Sequence, residues 1–373
     1  MAKTKVSPRQ LMILTSGFSF GSVPLMIPSR IADLAGPDVW ISILLGAVAG
    51  LPVIWIYAKL GELNPDKTFA EILRLYLGKW AGGLVALFYI LSGLVLTTQI
   101  SWYMGDFVRN EFRSDLPIIR INIFFVVLLA FAMWCGVEAM YRATELLYYI
   151  LFSFFIVTVL LLIPSFKPEY LLPIMENGPV PVLKGSIPFI TDCVLPLVFL
   201  NMVYPVCLEN VQEAKKALFK GYLIGALTTL IAVTTCVLVM GSSLIANVRS
   251  PMYTVNKEIS HLVVFSRIEA ATVAISLGVS FIAAFSYAYA GVLALAQLIK
   301  VKNYKYLIPP IGLLIILYSP DIYYNTVHEI QWDSLTWPPL SFTLGFIIPG
   351  VVLTIAVIKK RKENNQQSGN QAK

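Results

Sequence analysis

Apolar segments long enough to cross a lipid bilayer follow one another along almost the whole chain. About 20 residues of helix span the hydrocarbon layer of a membrane, and the 373-residue sequence holds ten such segments, centred near residues 20, 50, 93, 126, 154, 197, 230, 283, 312 and 348. Only 13% of the residues are charged, about half of the roughly 25% typical of soluble domains. The sequence therefore predicts an all-α polytopic membrane protein that sits in a lipid bilayer.

Basic residues lie in the short connections between these segments and predict their orientation. With the N-terminus inside, the connections on the cytoplasmic side hold 19 of the 28 Lys and Arg residues. Because positive charge is retained on the cytoplasmic side, we expect both termini to be cytoplasmic. The net charge of +7 is explained by this distribution, and nucleic acid is not an expected partner.

The sequence predicts one transmembrane domain over residues 1–362 and a polar, basic, disordered cytoplasmic tail over residues 363–373. Between the second and third spans, TFAEILRLYLGKW at 68–80 has apolar and charged positions at helical spacing. This pattern predicts a short amphipathic helix on the membrane surface. The four cysteines show no metal-ligand spacing, so we expect neither a metal site nor a cofactor.

Two of the predicted spans carry Gly, Pro and polar residues in the middle of the bilayer. The first has GFSFGSVP at 17–24, and the sixth has PLVFLNMVYP at 196–205. Such clusters suit mid-membrane helices only where unwound backbone faces protein or a water-filled cavity. Gly17 and Gly21 also form a G-x-x-x-G pair, a pattern of close helix packing. Either an interrupted helix or close helix packing would explain the first cluster.

Corresponding interruptions in helices 1 and 6 divide the ten spans into two halves of five. Because five is odd, the second half enters the membrane from the opposite side, which predicts a five-plus-five inverted repeat. Paired interruptions of this kind indicate a transporter-type binding site. Freed N–H groups would face a carboxylate and freed carbonyls an ammonium or a cation, which suits a free amino acid.

The stretch GFSFG also matches the G-x-S-x-G pattern of a hydrolase nucleophile elbow, with Ser19 as the nucleophile. That motif requires a strand-to-helix turn on an α/β sheet, and no segment alternates like a strand. The only histidines, His261 and His328, fall in predicted loops rather than at membrane depth, and no H-E-x-x-H is present. We expect no catalytic residues and no enzyme activity.

Asp192 lies about six residues inside the sixth span, or roughly 9 Å along a helix. A carboxylate at this depth is costly and is a functional candidate, for example as a proton acceptor. Alternatively, it reaches the outer interface or pairs with Lys184. Three further charges at span ends, Glu209, Arg267 and Glu269, are predicted to be structural or gating groups.

The order and spacing of several short motifs resemble one known family over about residues 8–362. These motifs are MIPSR at the end of the first span, LGKW at 77–80, CLEN at 207–210 and SRIEA at 266–270. They resemble the spore germination GerB family, the B subunits of nutrient germinant receptors. That family is in turn similar to the amino acid, polyamine and organocation transporter superfamily.

The resemblance implies a nutrient-binding subunit in the inner membrane of bacterial endospores, working with an A-type membrane subunit and a C-type lipoprotein. Binding of a small nutrient such as an amino acid would signal germination. By matching motifs, the resemblance implies a substrate pocket lined by Gly21, Leu96, Thr97, Phe199, Ala283 and Tyr287. Leu96, Phe199 and Ala283 stand where the family varies and would bear on ligand choice.

The sequence also allows two other functions. A proton- or cation-coupled amino acid permease needs the same pocket and differs only in completing alternating access. A ligand-gated ion or water path through the bundle would also use interrupted helices.

Overall fold

A computed structural model describes residues 6–21, 26–111, 115–204, 206, 211–260 and 268–371, with side chains described throughout these ranges except at 258–260, 268–271 and 363–371. The described residues lie mostly in α-helices. In chain order they are α1 Pro8–Phe20, α2 Ile27–Ala35, α3 Val39–Leu63, α4 Phe69–Leu77, α5 Lys79–Glu111, α6 Ile118–Cys135, α7 Val137–Leu162, α8 Pro179–Phe189, α9 Val211–Met240, α10 Ser242–Ile245, α11 Pro251–Ser260, α12 Ile268–Leu298, α13 Ile308–Tyr318, α14 Thr326–Gln331, α15 Trp337–Phe342 and α16 Ile348–Gln371.

These helices account for the ten predicted spans. Span one is α1 with α2, span two is α3, and spans three to five are α5, α6 and α7. Span six starts with α8, span seven is α9, span eight is α12, span nine is α13, and span ten comprises α14 to α16. Among the described residues, eight helical segments have the length and composition to cross a membrane. Spans one and nine are the exceptions.

Span nine falls short because its α-helical part is only 11 residues long. Two 3₁₀ turns, Tyr304–Leu307 and Ser319–Asp321, extend it at its ends. Span one is divided: α1 ends at Phe20, and α2 begins at Ile27. A 3₁₀ turn at Gly36–Asp38 then connects α2 to α3. The prediction that helix 1 is interrupted agrees with this separation of α1 from α2.

The long third and eighth spans are confirmed by α5, of 33 residues, and α12, of 31 residues. The surface helix predicted from TFAEILRLYLGKW is α4, whose first turn is capped by Thr68 and Glu71 in a reciprocal capping box. Its apolar face packs on α5. The tail boundary at residue 363 stays a prediction, and the helix α16 runs through Gln371.

The helix contacts are those expected if spans one to five and spans six to ten have the same arrangement. Span one packs against span seven through α1 and α9, and span six packs against span two through α8 and α3. Span one corresponds to span six and span two to span seven, so each of these two contacts is the counterpart of the other. Spans three and eight, which also correspond, pack directly against each other through α5 and α12. The central bundle therefore has the pairing expected of a five-plus-five repeat.

Candidate binding cavity

Span six departs from α-helical geometry at mid-depth. After α8 it continues as a π-helical turn at Ile190–Val194 and a 3₁₀ segment at Leu195–Met202. Pro188 and Pro196 lie at these transitions, and proline both lacks an N–H and crowds the carbonyl four residues earlier. The predicted interruption of helix 6 is therefore present. It consists of a wide π-helical turn followed by tight 3₁₀ turns.

Hydroxyl groups from three other spans bond to the carbonyl oxygens of this interrupted stretch. Each distance is typical of an O–H···O hydrogen bond. The pairs are Ser341 Oγ to the Thr191 carbonyl (2.9 Å), Ser19 Oγ to the Cys193 carbonyl (2.8 Å) and the Tyr57 hydroxyl to the Leu195 carbonyl (2.8 Å). Ser19 thus connects the interrupted helices of spans one and six, which is a structural role. The buried position of Ser19 on α1 also lacks the strand-to-helix turn of a hydrolase.

Span ten is interrupted as well, which the sequence reasoning missed. Two π-helical turns, Trp332–Thr336 and Thr343–Ile347, flank α15. The Tyr57 hydroxyl lies 2.5 Å from the Gly345 carbonyl, and the Tyr89 hydroxyl donates to the Leu344 carbonyl. The pair Pro338–Pro339 with Gly345 was the available signal. Tyr57 joins the interruptions of spans six and ten.

A cavity lies where spans one, three, six, eight and ten meet. Gly21, Leu96 and Tyr287, three of the predicted site residues, line it. Asp192 lines it too. The cavity is thus bordered by the ends of interrupted helices, as expected for a transporter-type site.

A charged cluster forms one wall of the cavity. Nη1 of Arg30 lies 2.6 Å from Oδ2 of Asp192, and Nη2 of Arg30 donates to the backbone carbonyl of Asp333 at 2.7 Å. The indole N–H of Trp337 donates to the other oxygen of Asp192. The Tyr103 hydroxyl lies 3.0 and 3.1 Å from the two carboxylate oxygens of Asp333. Asp192 is therefore paired with Arg30 from span one and not with Lys184.

The other predicted pocket residues lie around the cavity in different ways. The Phe199 ring packs edge-on against Tyr287, with centroids 5.1 Å apart. The Thr97 hydroxyl bonds to the Gly93 carbonyl of its own helix at 2.7 Å. Ala283 faces Gly21 at a close contact between α1 and α12. These three assignments stay predictions, since no ligand contact tests them.

Glycine on α1 permits that close contact. A Cβ at Gly21 would lie 2.7 Å from the Ala283 Cβ and 3.1 Å from the Val279 carbonyl oxygen, and a Cβ at Gly17 would lie 3.2 Å from Ile282. Both glycines therefore serve close packing of α1 on α12, the alternative that the G-x-x-x-G spacing left open. Glu209 and Arg267 lie outside the described residues, as does the side chain of Glu269.

A second charged layer lies beyond the first. Arg249 bridges Asp106 at 2.7 Å and the fully buried Glu329 at 2.8 Å, and its guanidinium lies 5.7 Å from the centre of the Trp102 ring. Burial lowers the pKa of Arg249, but the hydrogen bond and charge of Glu329 and the charge of Asp106 outweigh it, so the pKa is raised. This layer joins α5, α14 and the 246–250 connection. Within the described residues, His, Cys, Asp and Glu form no cluster that could hold a metal ion.

Sequence reasoning missed Arg30, Asp333, Tyr103 and Gln99 as residues of the site. Arg30 and Asp333 lie near the ends of spans one and ten, where charges were assigned to loops. Their approach to Asp192 depends on how three spans cross. Gln99 and Tyr103 lie four residues apart on one face of α5 and both border the cavity. That spacing was visible, but the direction in which the face points was not.

Comparison with known proteins gives one family. The family model described as "Spore germination protein" matches residues 5–327. Spore germination protein KB of Bacillus subtilis (strain 168) is 27% identical over 379 residues, covering 100% of both chains. The putative spore germination protein YfkT of the same organism is 23% identical over 341 residues, covering 90% of each chain.

Among solved structures, the chain is similar to Mhp1, a nucleobase-cation-symport-1 family transporter, in a closed conformation with bromovinylhydantoin bound. The TM-score is 0.71 at 11% sequence identity, with 94% of this chain and 78% of Mhp1 covered. The chain thus has an Mhp1-like transporter fold, a five-plus-five inverted repeat. The eight membrane-length segments found in the described part of the chain, together with this fold, identify an integral membrane protein.

Proposed function

The chain belongs to the spore germination protein family, and on that premise we propose that it is the B subunit of a nutrient germinant receptor. It binds a small nutrient, an amino acid, in the cavity between spans one, three, six, eight and ten. It signals germination together with an A-type membrane subunit and a C-type lipoprotein. It resides in the spore inner membrane with both termini on the core side.

The observation that carries this proposal is the cavity itself. It lies at the junction of three interrupted spans, and polar groups converge on it from spans one, three, six and ten. Small-molecule sites are concave, mostly apolar and equipped with a few placed polar groups. Interrupted helices can move as short segments, so occupancy of this cavity can be passed to partner subunits. The cavity and the interrupted helices beside it therefore support a receptor function.

A permease is the second candidate, because the chain has the fold of a solved transporter. In that function the ligand crosses the membrane and proton or cation binding drives it, with Asp192 as a proton-linked candidate. A ligand-gated ion path is a third use of the same interruptions. Receptor and permease differ in whether the cavity opens alternately to both sides.

Two measurements separate these functions. Uptake of labelled L-amino acids is measured in proteoliposomes that contain this chain alone, and amino-acid-stimulated ion release is measured in spores with and without the A and C subunits. Release that requires all three subunits, without uptake in proteoliposomes, supports the receptor. Concentrative uptake by the chain alone supports the permease and contradicts the receptor proposal.

The cavity is tested with a pair of matched substitutions on α5. Leu96→Phe adds volume to a side chain that lines the cavity, whereas Leu91→Phe makes the same change at a side chain that is 53% exposed on the bundle surface. We expect Leu96→Phe to shift the nutrient dose response about 5- to 160-fold, since overfilling a packed site costs about 1–3 kcal/mol. Equal dose responses in the two variants, at equal protein levels, would contradict this site.

A further inference from the structure

Backbone carbonyls are the expected acceptors for a ligand ammonium at interrupted helices, but here four of them already accept hydrogen bonds from side chains. The Thr191, Cys193 and Leu195 carbonyls accept hydroxyl hydrogens from three other spans. At the end of α1, the Gly21 carbonyl accepts from Ser280 Oγ at 3.0 Å. A cationic group entering the cavity would have to displace these bonds or find another acceptor.

The two aspartates of the cavity wall differ in how well they are neutralised. Asp192 has a 2.6 Å ion pair with Arg30 and an indole hydrogen bond from Trp337, so each oxygen has a strong donor. Asp333 is 3.9 Å from the nearest Arg30 nitrogen, and its oxygens share the Tyr103 hydroxyl. A hydroxyl supplies a single proton, so among the described residues at most one oxygen of Asp333 has a hydrogen-bond donor at any moment.

The charges that line the cavity do not balance. Within the described residues they are one guanidinium, Arg30, and two carboxylates, Asp192 and Asp333. Their side chains are only 20%, 10% and 13% exposed. An unpaired charge inside a membrane protein is expensive. The wall therefore attracts one further positive charge. Asp333, the less neutralised of the two carboxylates, is the group that can pair with it.

A second, independent observation points to the same place. The Gln99 side chain lines the cavity and its residue is only 5% exposed, yet no hydrogen bond joins it to any residue in the described ranges. Because the Gln99 amide borders the cavity, its donor and acceptor are available to a ligand. Gln99 lies one helical turn before Tyr103, whose hydroxyl contacts Asp333. The Gln99 amide and the incompletely neutralised Asp333 carboxylate thus lie on adjacent parts of the cavity wall.

We propose that Asp333 and Gln99 form the subsite for the ammonium group of the ligand, with Arg30 and Asp192 fixing the wall beside it. The Asp333 carboxylate accepts a charge-assisted hydrogen bond, and the Gln99 carbonyl oxygen accepts a second. The aromatic faces of Tyr103 and Trp337, which also line the cavity, suit an organic cation. The ligand class is a primary amine such as a free L-amino acid. This subsite rests on the proposed nutrient-binding function.

The test uses the full chain in lipid nanodiscs and measures affinity by thermal shift and calorimetric titration. The probes are the twenty common L-amino acids, the N-acetyl derivative of each, and D-glucose as a neutral polar compound. We expect at least one L-amino acid to bind and its N-acetyl derivative, which lacks the charge, to bind about 10- to 100-fold more weakly. This comparison needs no variant and is independent of folding effects.

Variants then locate the effect. Asp333→Asn should weaken amino acid binding about 10- to 100-fold, and Gln99→Leu should weaken it less. Asp321→Asn, the same change at an exposed position between spans nine and ten, should leave affinity unchanged. Equal affinities for an amino acid and its N-acetyl derivative would overturn the subsite. So would an unchanged affinity in Asp333→Asn, provided that the variant folds with a normal melting temperature.

The outcomes also separate this inference from the proposed function. If D-glucose or N-acetyl derivatives bind and Leu96→Phe blocks them, the cavity is a nutrient site and only the ammonium subsite is wrong. If no probe binds and spores carrying Leu96→Phe respond as wild type, the cavity is not the nutrient site and both proposals fall.

Discussion

The two sides of the cavity are built differently. On one side the Arg30 cluster, defined by Arg30, Asp192, Asp333, Tyr103 and Trp337, joins four spans through ion pairs and hydrogen bonds. On the other side, an aromatic ladder leads from the cavity towards α4. Its edge-on contacts are Phe18–Tyr287, Tyr287–Phe199, Phe199–Tyr89 and Tyr89–Phe69, with ring centroids 4.9, 5.1, 5.9 and 5.0 Å apart.

Under the proposed nutrient-binding function, the charged side would recognise the ligand and the aromatic side would supply packing. Charged and polar contacts depend on distance and protonation, so a charged ligand can reorganise the Arg30 cluster. The aromatic ladder offers packed rings and no charge between the cavity and α4. Its far end is fixed, because Phe69 begins α4 and the preceding Thr68 also bonds to Gln297 of α12 at 2.8 Å. We expect ligand to act first on the charged side.

Arg30→Gln should have the largest effect, because it leaves two carboxylates buried beside the cavity. Removing one partner of a buried pair costs about 3 to 5 kcal/mol. The free energy of unfolding in nanodiscs checks this value. The matched control is Arg142→Gln, which removes an exposed pair with Glu138 and should cost less than about 0.5 kcal/mol.

The double variant Arg30→Gln, Asp192→Asn should recover part of the lost stability, since one unpaired charge is removed with its partner. Additive losses in the double variant would mean that the cluster is not coupled, and the charged side would then be held by packing alone.

Phe199→Ala tests the opposite side and should cost about 3 kcal/mol, because it removes a buried ring that contacts both Tyr89 and Tyr287. Phe124→Ala, at a ring that is 80% exposed on α6, serves as control and should cost less than about 1 kcal/mol. Unfolding measured under the same conditions compares the two. If both substitutions cost the same, the ladder is not a packed element.

Tyr57→Phe removes the hydroxyl that joins the interruptions of spans six and ten. We expect the free energy of unfolding to fall by about 1 to 2 kcal/mol, because one hydrogen bond is lost and the Leu195 and Gly345 carbonyls no longer face a hydroxyl. Tyr324→Phe, at a side chain that is 86% exposed, should be neutral. A neutral result for Tyr57→Phe would show that the two interruptions are held independently.

Thr97→Val should have the smallest effect, below about 0.5 kcal/mol in both stability and ligand affinity. The Thr97 hydroxyl bonds to the carbonyl of Gly93 in its own helix, and a valine of similar shape preserves the packing. Titration with the best-binding L-amino acid measures affinity. A tenfold loss would mean that Thr97 contacts the ligand, as its match to the family motif implies.

Several features followed from the sequence because their causes are local. Span length follows from apolar runs against bilayer thickness, which accounts for the long helices α5 and α12. The interruption of span six follows from the proline-bounded stretch at 196–205, and the helix α4 follows from the helical spacing of apolar and charged residues at 68–80. The same reasoning should have found span ten, where Pro338, Pro339 and Gly345 carry an equal signal.

The site depended on contacts that no local pattern encodes. Arg30, Asp192 and Asp333 are separated by 162 and 141 positions, and they meet only because spans one, six and ten cross at one depth. Likewise, Gly21 predicts either a break or a close contact; α1 ends just before it, and Ala283 on α12 packs closely against it. Sequence alone determined which segments enter the membrane and where their helices weaken. The tertiary structure decided which charges meet there, because an ion pair in a low-dielectric interior depends on distances of a few ångströms between segments remote in the chain.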